Sequence, residues 1–168
     1  METNIYTASA RKAFIVRVSG KEEKMLTENE IMIGWSKAEG LLNEKLTKED
    51  FREIVQKEYF PKEDTKRRAG QITGDFWRFI REMGEGNYVL VPAEGGFYIG
   101  RVIGPAYYNE MKIFSDTAYR RKVEWLNDKK IISIDMTTEE LQKKLKSLQQ
   151  VLDVTDLYIE IEFALRHA

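Results

Sequence analysis

The chain has 168 residues, 42% of them hydrophobic, which suits one domain over residues 1–168 with its own core and excludes disorder as the default. Its 27 basic and 28 acidic residues nearly cancel, so bulk attraction to a polyanion is excluded and only a local patch could serve. The absence of cysteine, a single histidine (His167) and the lack of any apolar run near the roughly 20 residues of a membrane helix argue against disulfides, zinc sites, histidine triads and membrane spans, and point to a cytoplasmic protein needing no cofactor.

In chain order, the first twelve residues carry no apolar signal core. Residues 13–18 read as a strand with Phe14, Val16 and Val18 on one face, and residues 20–29 as a charged connection. Ile31, Ile33 and Trp35 alternate with Met32, Gly34 and Ser36, giving a second strand. Residues 48–60 form an amphipathic helix ended by Pro61, and 62–71 read as a basic mobile loop. Phe76, Phe79, Ile80 and Met83 at i, i+3, i+4, i+7 predict a helix over 73–83, closed by Gly84.

A hairpin follows, with strands at 88–92 and 97–103 joined through residues 93–96. Gly104-Pro105 then releases an irregular loop holding Tyr107, Tyr108, Phe114 and Tyr119. Strands are predicted at 122–126 and 130–135. Thr137 and Glu140 make a capping box for a third helix with Leu141, Leu145, Leu148 and Leu152 in register. The alternation of Leu157, Ile159, Ile161 and Phe163 predicts a final strand. About seven strands and three helices, without regular βα alternation, give an α+β class and suggest a small mixed β-barrel.

Trp35 either continues the inward face of Ile31 and Ile33 or, beside Gly34 and Ser36, walls a pocket. Aromatics in a loop mark binding more than core, which singles out Tyr107, Tyr108 and Phe114. Trp77, beside the stripe of its helix, reads as a core-edge residue and is carried as a further cage candidate. Two basic clusters stand out: Lys66, Arg67 and Arg68 in the first, and Arg101, Arg120, Arg121 and Lys122 in the second, with Arg120-Arg121 the better placed for phosphate. Aromatic rings beside cations suit a nucleobase and its phosphate. No Walker A, GxSxG or HExxH motif occurs, and no nucleophile–base pair suggests an enzyme.

The segments WRFIREMGEGNYVLVP, FYIGRVIGPAYY and AYRRKVEWL, in this order and spacing, resemble the PUA-like superfamily in its EVE and YTH branches. The likeness runs from Arg11 to Phe163 and is nearest to the N-terminal reader domains of McrB- and Mrr-type methyl-directed restriction proteins. Tyr119 stands where that pattern has His, and Asn87 where it has Asp. The resemblance implies a reader that flips a modified base of duplex DNA into an aromatic cage, N6-methyladenine before 5-methylcytosine. It implies Trp35 as the first cage wall, Ser36 at the base edge, and one of Tyr107, Tyr108 or Phe114 as the second wall. It also implies that this is the N-terminal part of a longer protein, with motor, nuclease and oligomerisation elsewhere. An RNA-binding PUA-like module and a protein-assembly domain are the alternatives.

Overall fold

A computed structural model describes residues 11–168; the stretch without a signal core, through residue 10, lies outside the described residues. The strands are β1 (Ala13–Val16), β2 (Glu30–Ile33), β3 (Tyr88–Ala93), β4 (Gly96–Val102), β5 (Tyr107–Tyr108), β6 (Tyr119–Trp125), β7 (Ile132–Ser133) and β8 (Val151–Asp153). The helices are α1 (Glu22–Glu28), α2 (Lys48–Tyr59), α3 (Arg67–Trp77), α4 (Glu139–Leu145) and α5 (Tyr158–Arg166). The strands form one mixed sheet in the order β2-β6-β4-β3-β1-β8, with β5 added to β6 and β7 to β4. Only β1 with β3 is parallel. The sheet curls until β2, at one end, approaches β1. This is an α+β fold built on a half-barrel. No helix among the described residues is long and apolar enough to cross a membrane.

Period-2 strands put successive side chains on opposite faces. In β1 and β3 both sets are apolar, and both are buried. Phe14, Val16, Val89 and Val91 join one core beneath α2 and α3. Ala13, Ile15, Tyr88 and Leu90 join a second core beneath α4 and α5. The sheet is therefore a shared wall between two cores, with neither face of its centre wet.

Several sequence expectations are corrected. Residues 20–29 hold a helix, α1, anchored by buried Met25 and stopped by Asn29, whose left-handed backbone (φ 56°) returns its N–H to the Met25 carbonyl. The basic loop is half helix: α3 starts at Arg67 because Ala69, Ile72 and Thr73 supply a buried face one turn before the predicted start. After Trp77 the chain widens into a π-helical turn, Arg78–Glu82, in which the Met83 N–H reaches the Arg78 carbonyl. Strand 130–135 shrinks to two residues before a 3-10 turn. The cap of α4 is Thr138, which accepts from the Leu141 N–H, while Thr137 instead donates to the Ile134 carbonyl. That helix ends at Leu145, so Leu148 is left 89% exposed and Leu152 passes into β8.

The predicted final strand is α5. Leu157, Ile161 and Ala164 are buried at helical spacing, whereas Ile159 and Phe163, which made the alternation, are 75% and 58% exposed. Both periods were present in the residues, and docking on the second core selected 3.6.

Candidate functional site

The turn that leaves β2 builds the site. The Gly34 N–H donates to Gln150 Oε1 (2.8 Å), the Trp35 N–H to Asp116 Oδ2 (3.2 Å) and the Ser36 N–H to Asp116 Oδ1 (2.8 Å). One carboxylate thus caps two successive amides. Gly34 lets these acceptors close in: a Cβ there would stand 3.0 Å from Asp116 Oδ2 and 3.3 Å from Gln150 Oε1, so both side chains would have to give way by a few tenths of an ångström. Ser36 is buried; its hydroxyl accepts from the Ala118 N–H (2.9 Å), and its carbonyl accepts from the Tyr108 hydroxyl (2.8 Å).

This clamp holds Trp35 at φ 66°, in the left-handed region. For a large L-residue that conformation costs roughly 1–2 kcal/mol. Strain of this kind at an aromatic residue points to use. Its effect is to swing the indole out of the face of Ile31 and Ile33, both fully buried. Trp35 is half-buried, edge-on to Tyr59 (centroids 4.9 Å apart, planes at 86°) and 6.1 Å from Phe60.

The indole lines an open cleft of about 720 Å³ together with Lys48 of α2, Gly70, Gln71, Ile72, Gly74 and Asp75 of α3, Arg78, and residues 148–150. Sites for small ligands span roughly 300–1,000 Å³. Gly74 is small for a reason: its Cβ would meet the Arg78 guanidinium at 3.0 Å. That guanidinium donates to Asp75 Oδ1 (3.2 Å) and to the Val151 carbonyl (2.7 Å), and the Val151 N–H donates to the same Asp75 oxygen (3.1 Å). The cleft therefore sets an aromatic wall against carboxyl and amide groups, which donate and accept at the edge of a flat polar ligand.

Burial pushes the Asp75 carboxyl above its ordinary range, against the pull of Val151 and Arg78. A folded-state pKa above the unfolded one opposes folding at neutral pH, and that opposition disappears as pH falls below the carboxylate range. Asp75→Asn, which keeps an acceptor for Val151 and Arg78, should raise the melting temperature at pH 7 but not at pH 3. Thermal melts at both values check this; equal effects at the two would refute it. Among the described residues no group of three or more His, Cys, Asp or Glu could hold a metal ion.

Residues 14–152 match the family described as Domain of unknown function (DUF8426). The chain belongs to that family. No curated protein and no solved structure matches it. The matched stretch runs from β1 into β8 and contains every residue that shapes the cleft, while α5 lies beyond it.

The other expected site residues of this DUF8426 domain fall in several places. Tyr108 lies across the Ser36 turn: its hydroxyl reaches Ser36 and Glu39, its ring packs on Tyr119 (4.8 Å), and it lines a separate cleft of about 490 Å³. The Tyr107 hydroxyl donates to Glu30. Phe114 is fully exposed at a loop tip. Trp77 packs on Phe51 (5.2 Å) under the Arg81 guanidinium (4.9 Å). None of these four lines the Trp35 cleft, so the expected pairing of an indole with a loop tyrosine is not assembled.

Arg120 and Arg121 are corrected as phosphate ligands. β6 begins at Tyr119, three residues before the predicted strand, and carries both into the sheet, where both are buried. Arg120 pairs with Glu28 (2.6 Å) and Glu30 (2.9 Å) and donates to the Thr117 carbonyl (2.7 Å) and hydroxyl (2.9 Å). Arg121 donates to the carbonyls of Phe79, Met83 and Gly104, and burial lowers its pKa to about 10. Arg101 lies over the Tyr88 ring (4.8 Å) and donates to the Gly86 carbonyl. Lys122 is exposed on the same strand.

The first basic cluster fares better. Lys66, Arg67 and Arg68 are exposed at the start of α3, one turn before Gly70 in the cleft. Lys66 is loosely paired with Glu49 (3.7 Å), and Arg68 pairs with Glu63 (3.0 Å). The Arg68 guanidinium also covers the buried Phe60 ring (4.5 Å), which in turn lies 6.1 Å from the Trp35 ring.

Sequence reasoning missed Asp75, Asp116, Leu148 and the glutamines 71, 149 and 150. The one local signal was Gly70 and Gly74, four apart on a helix with an apolar face, which leaves a low ridge for something else to approach.

Proposed function

We propose that this domain reads a modified base in duplex DNA by holding one everted nucleotide in the Trp35 cleft. N6-methyladenine is the favoured base and 5-methylcytosine the next. The domain would serve as the target-recognition part of a modification-dependent restriction system whose motor and nuclease lie in other regions or chains. The observation that carries the reading is Trp35 held in a strained left-handed turn at the edge of the first core, where it borders an open cleft.

The energetics are consistent with this use. Everting a base costs a few kcal/mol. One aromatic wall returns roughly 1–3 kcal/mol by stacking. Gln71 and Gln149 offer hydrogen-bond partners to the base edge, with buried Asp75 fixing the wall behind them, and exposed Leu148 at the rim offers an apolar neighbour to a methyl group. A methyl-sized difference in such a pocket is worth about 1–3 kcal/mol. Lys48, Lys66, Arg67 and Arg68 remain to grip phosphate.

Fluorescence polarisation should use duplexes carrying one N6-methyladenine, one 5-methylcytosine or no modification, and RNA of matched sequence. One modified duplex should bind about tenfold or more tighter than the plain one. With four cations engaged, log K should fall against log salt with a slope of about −3 to −4. Equal affinity for all duplexes would overturn the reading. Tighter binding of the RNA would move the domain to the RNA-module alternative.

A further inference from the structure

A base that leaves the duplex leaves a gap, and proteins that distort DNA commonly fill such a gap with an apolar side chain pushed between base steps. Resting on the base-reading proposal, we propose that Met111 and Phe114 form that wedge.

Phe114 is fully exposed and Met111 is 88% exposed, on the loop between β5 and β6. Two large apolar groups in water at one loop tip favour transfer into an apolar surrounding such as a base stack. The loop is well knit. Asn109 accepts from the Met111 N–H (3.0 Å), the Asp116 N–H donates to the Ile113 carbonyl (2.9 Å), the Thr117 N–H to the Lys112 carbonyl (3.1 Å), and Ser115 Oγ to that same carbonyl (3.1 Å). Its base is gripped by the buried Arg120 through Thr117. Such a tip can be pushed into a stack without first being ordered.

The position selects DNA over a protein partner. Two residues after Phe114 comes Asp116, the carboxylate that caps the Trp35 and Ser36 amides. Two residues span at most about 7 Å. Asp116 and Gln150 converge on Gly34, and Gln150 lines the cleft, so the loop and the cleft share a wall. A wedge has to stand beside the pocket that receives the base, and this one is joined to the Trp35 turn by the Asp116 carboxylate, which accepts from the Trp35 and Ser36 amides. Lys112, between the two apolar residues, gives the tip a cation for the flanking phosphate.

The test compares a duplex carrying one N6-methyladenine with the corresponding single strand, which needs no gap filled. A 2-aminopurine beside the target reports unstacking. M111S/F114S should keep its melting temperature, lose tenfold or more in duplex affinity, lose the 2-aminopurine rise, and hold single-strand affinity within twofold. Trp35→Ala should weaken both substrates. Equal changes on duplex and single strand, or no change on either, would overturn the wedge while leaving the base pocket standing. Failure of the wild-type protein to prefer the modified base in either strand form would instead overturn the pocket reading, and the wedge with it. Self-association that the double variant abolishes, with DNA binding intact, would reassign the tip to protein assembly.

Discussion

Trp35→Gly should lose modified-base binding yet melt above Trp35→Ala. Glycine enters the left-handed region without penalty, so it releases the roughly 1–2 kcal/mol held at φ 66°, which alanine keeps. Both variants lose the edge contact with Tyr59, worth about 0.5–1.5 kcal/mol, and the packing of the indole on the first core, worth roughly 2–4 kcal/mol more. Both should therefore melt below the wild type, the glycine variant by less. Binding has no such compensation: removing the stacking wall forfeits roughly 1–3 kcal/mol, or about 5- to 150-fold in affinity. Trp35→Ala should show the same affinity loss with a somewhat lower melting temperature, and Trp35→Phe should retain part of both. Calorimetry beside polarisation titrations settles it. A Gly variant that melts no higher than the Ala variant would mean that the turn holds no strain.

The second large effect concerns stability. Arg120→Ala should destabilise by about 3–5 kcal/mol, because it leaves the buried Glu30 carboxylate without its counter-charge, with the Tyr107 hydroxyl as its remaining donor, and the Thr117 carbonyl without the guanidinium. For a chain of this length that corresponds to a drop on the order of 10 °C in melting temperature. It should also change the response to acid. The hydrogen bond from Arg120 holds the Glu28 carboxyl below its ordinary range. A depressed folded-state pKa contributes stability above the unfolded value, which is lost as pH falls through the folded one. The wild type should therefore lose stability more steeply than Arg120→Ala below about pH 5. Denaturant melts at pH 7 and pH 4 measure both quantities. A variant with unchanged stability and reduced DNA affinity would restore Arg120 to the phosphate contacts.

The contrast between these two residues shows what local pattern could and could not reveal. Trp35 was half legible: Gly34 before it, Ser36 after it and the end of a strand left core and pocket both open, while the groups that turn it, Asp116 and Gln150, lie far along the chain. Arg120 was not, since its carboxylate partners are Glu28 and Glu30, about ninety positions away, brought opposite by the β2–β6 pairing. Beside a loop full of aromatics the pair Arg120-Arg121 looked like a surface patch. Tyr107 and Tyr108 failed for the same reason, their hydroxyls being claimed by Glu30 and Ser36. The hairpin β3–β4 and helix α2 were readable because turn and cap signals sit next to a single clear period. In α5, two periods overlapped and the sequence alone could not arbitrate. The polar groups around Asp75 were hidden because a helix, a π turn and the start of β8 meet there, and no local window spans them.

The clamp on the Gly34–Ser36 turn acts through main-chain amides, and the acceptors that close it come from Asp116 and Gln150. Nothing in it depends on Leu148 or Gln149, which border the cleft from an exposed bend. The shape of the turn and the chemistry of the cleft rim are thus set by different positions. Substitutions at that bend or at Gln71 should reshape the rim and leave the turn beneath it intact.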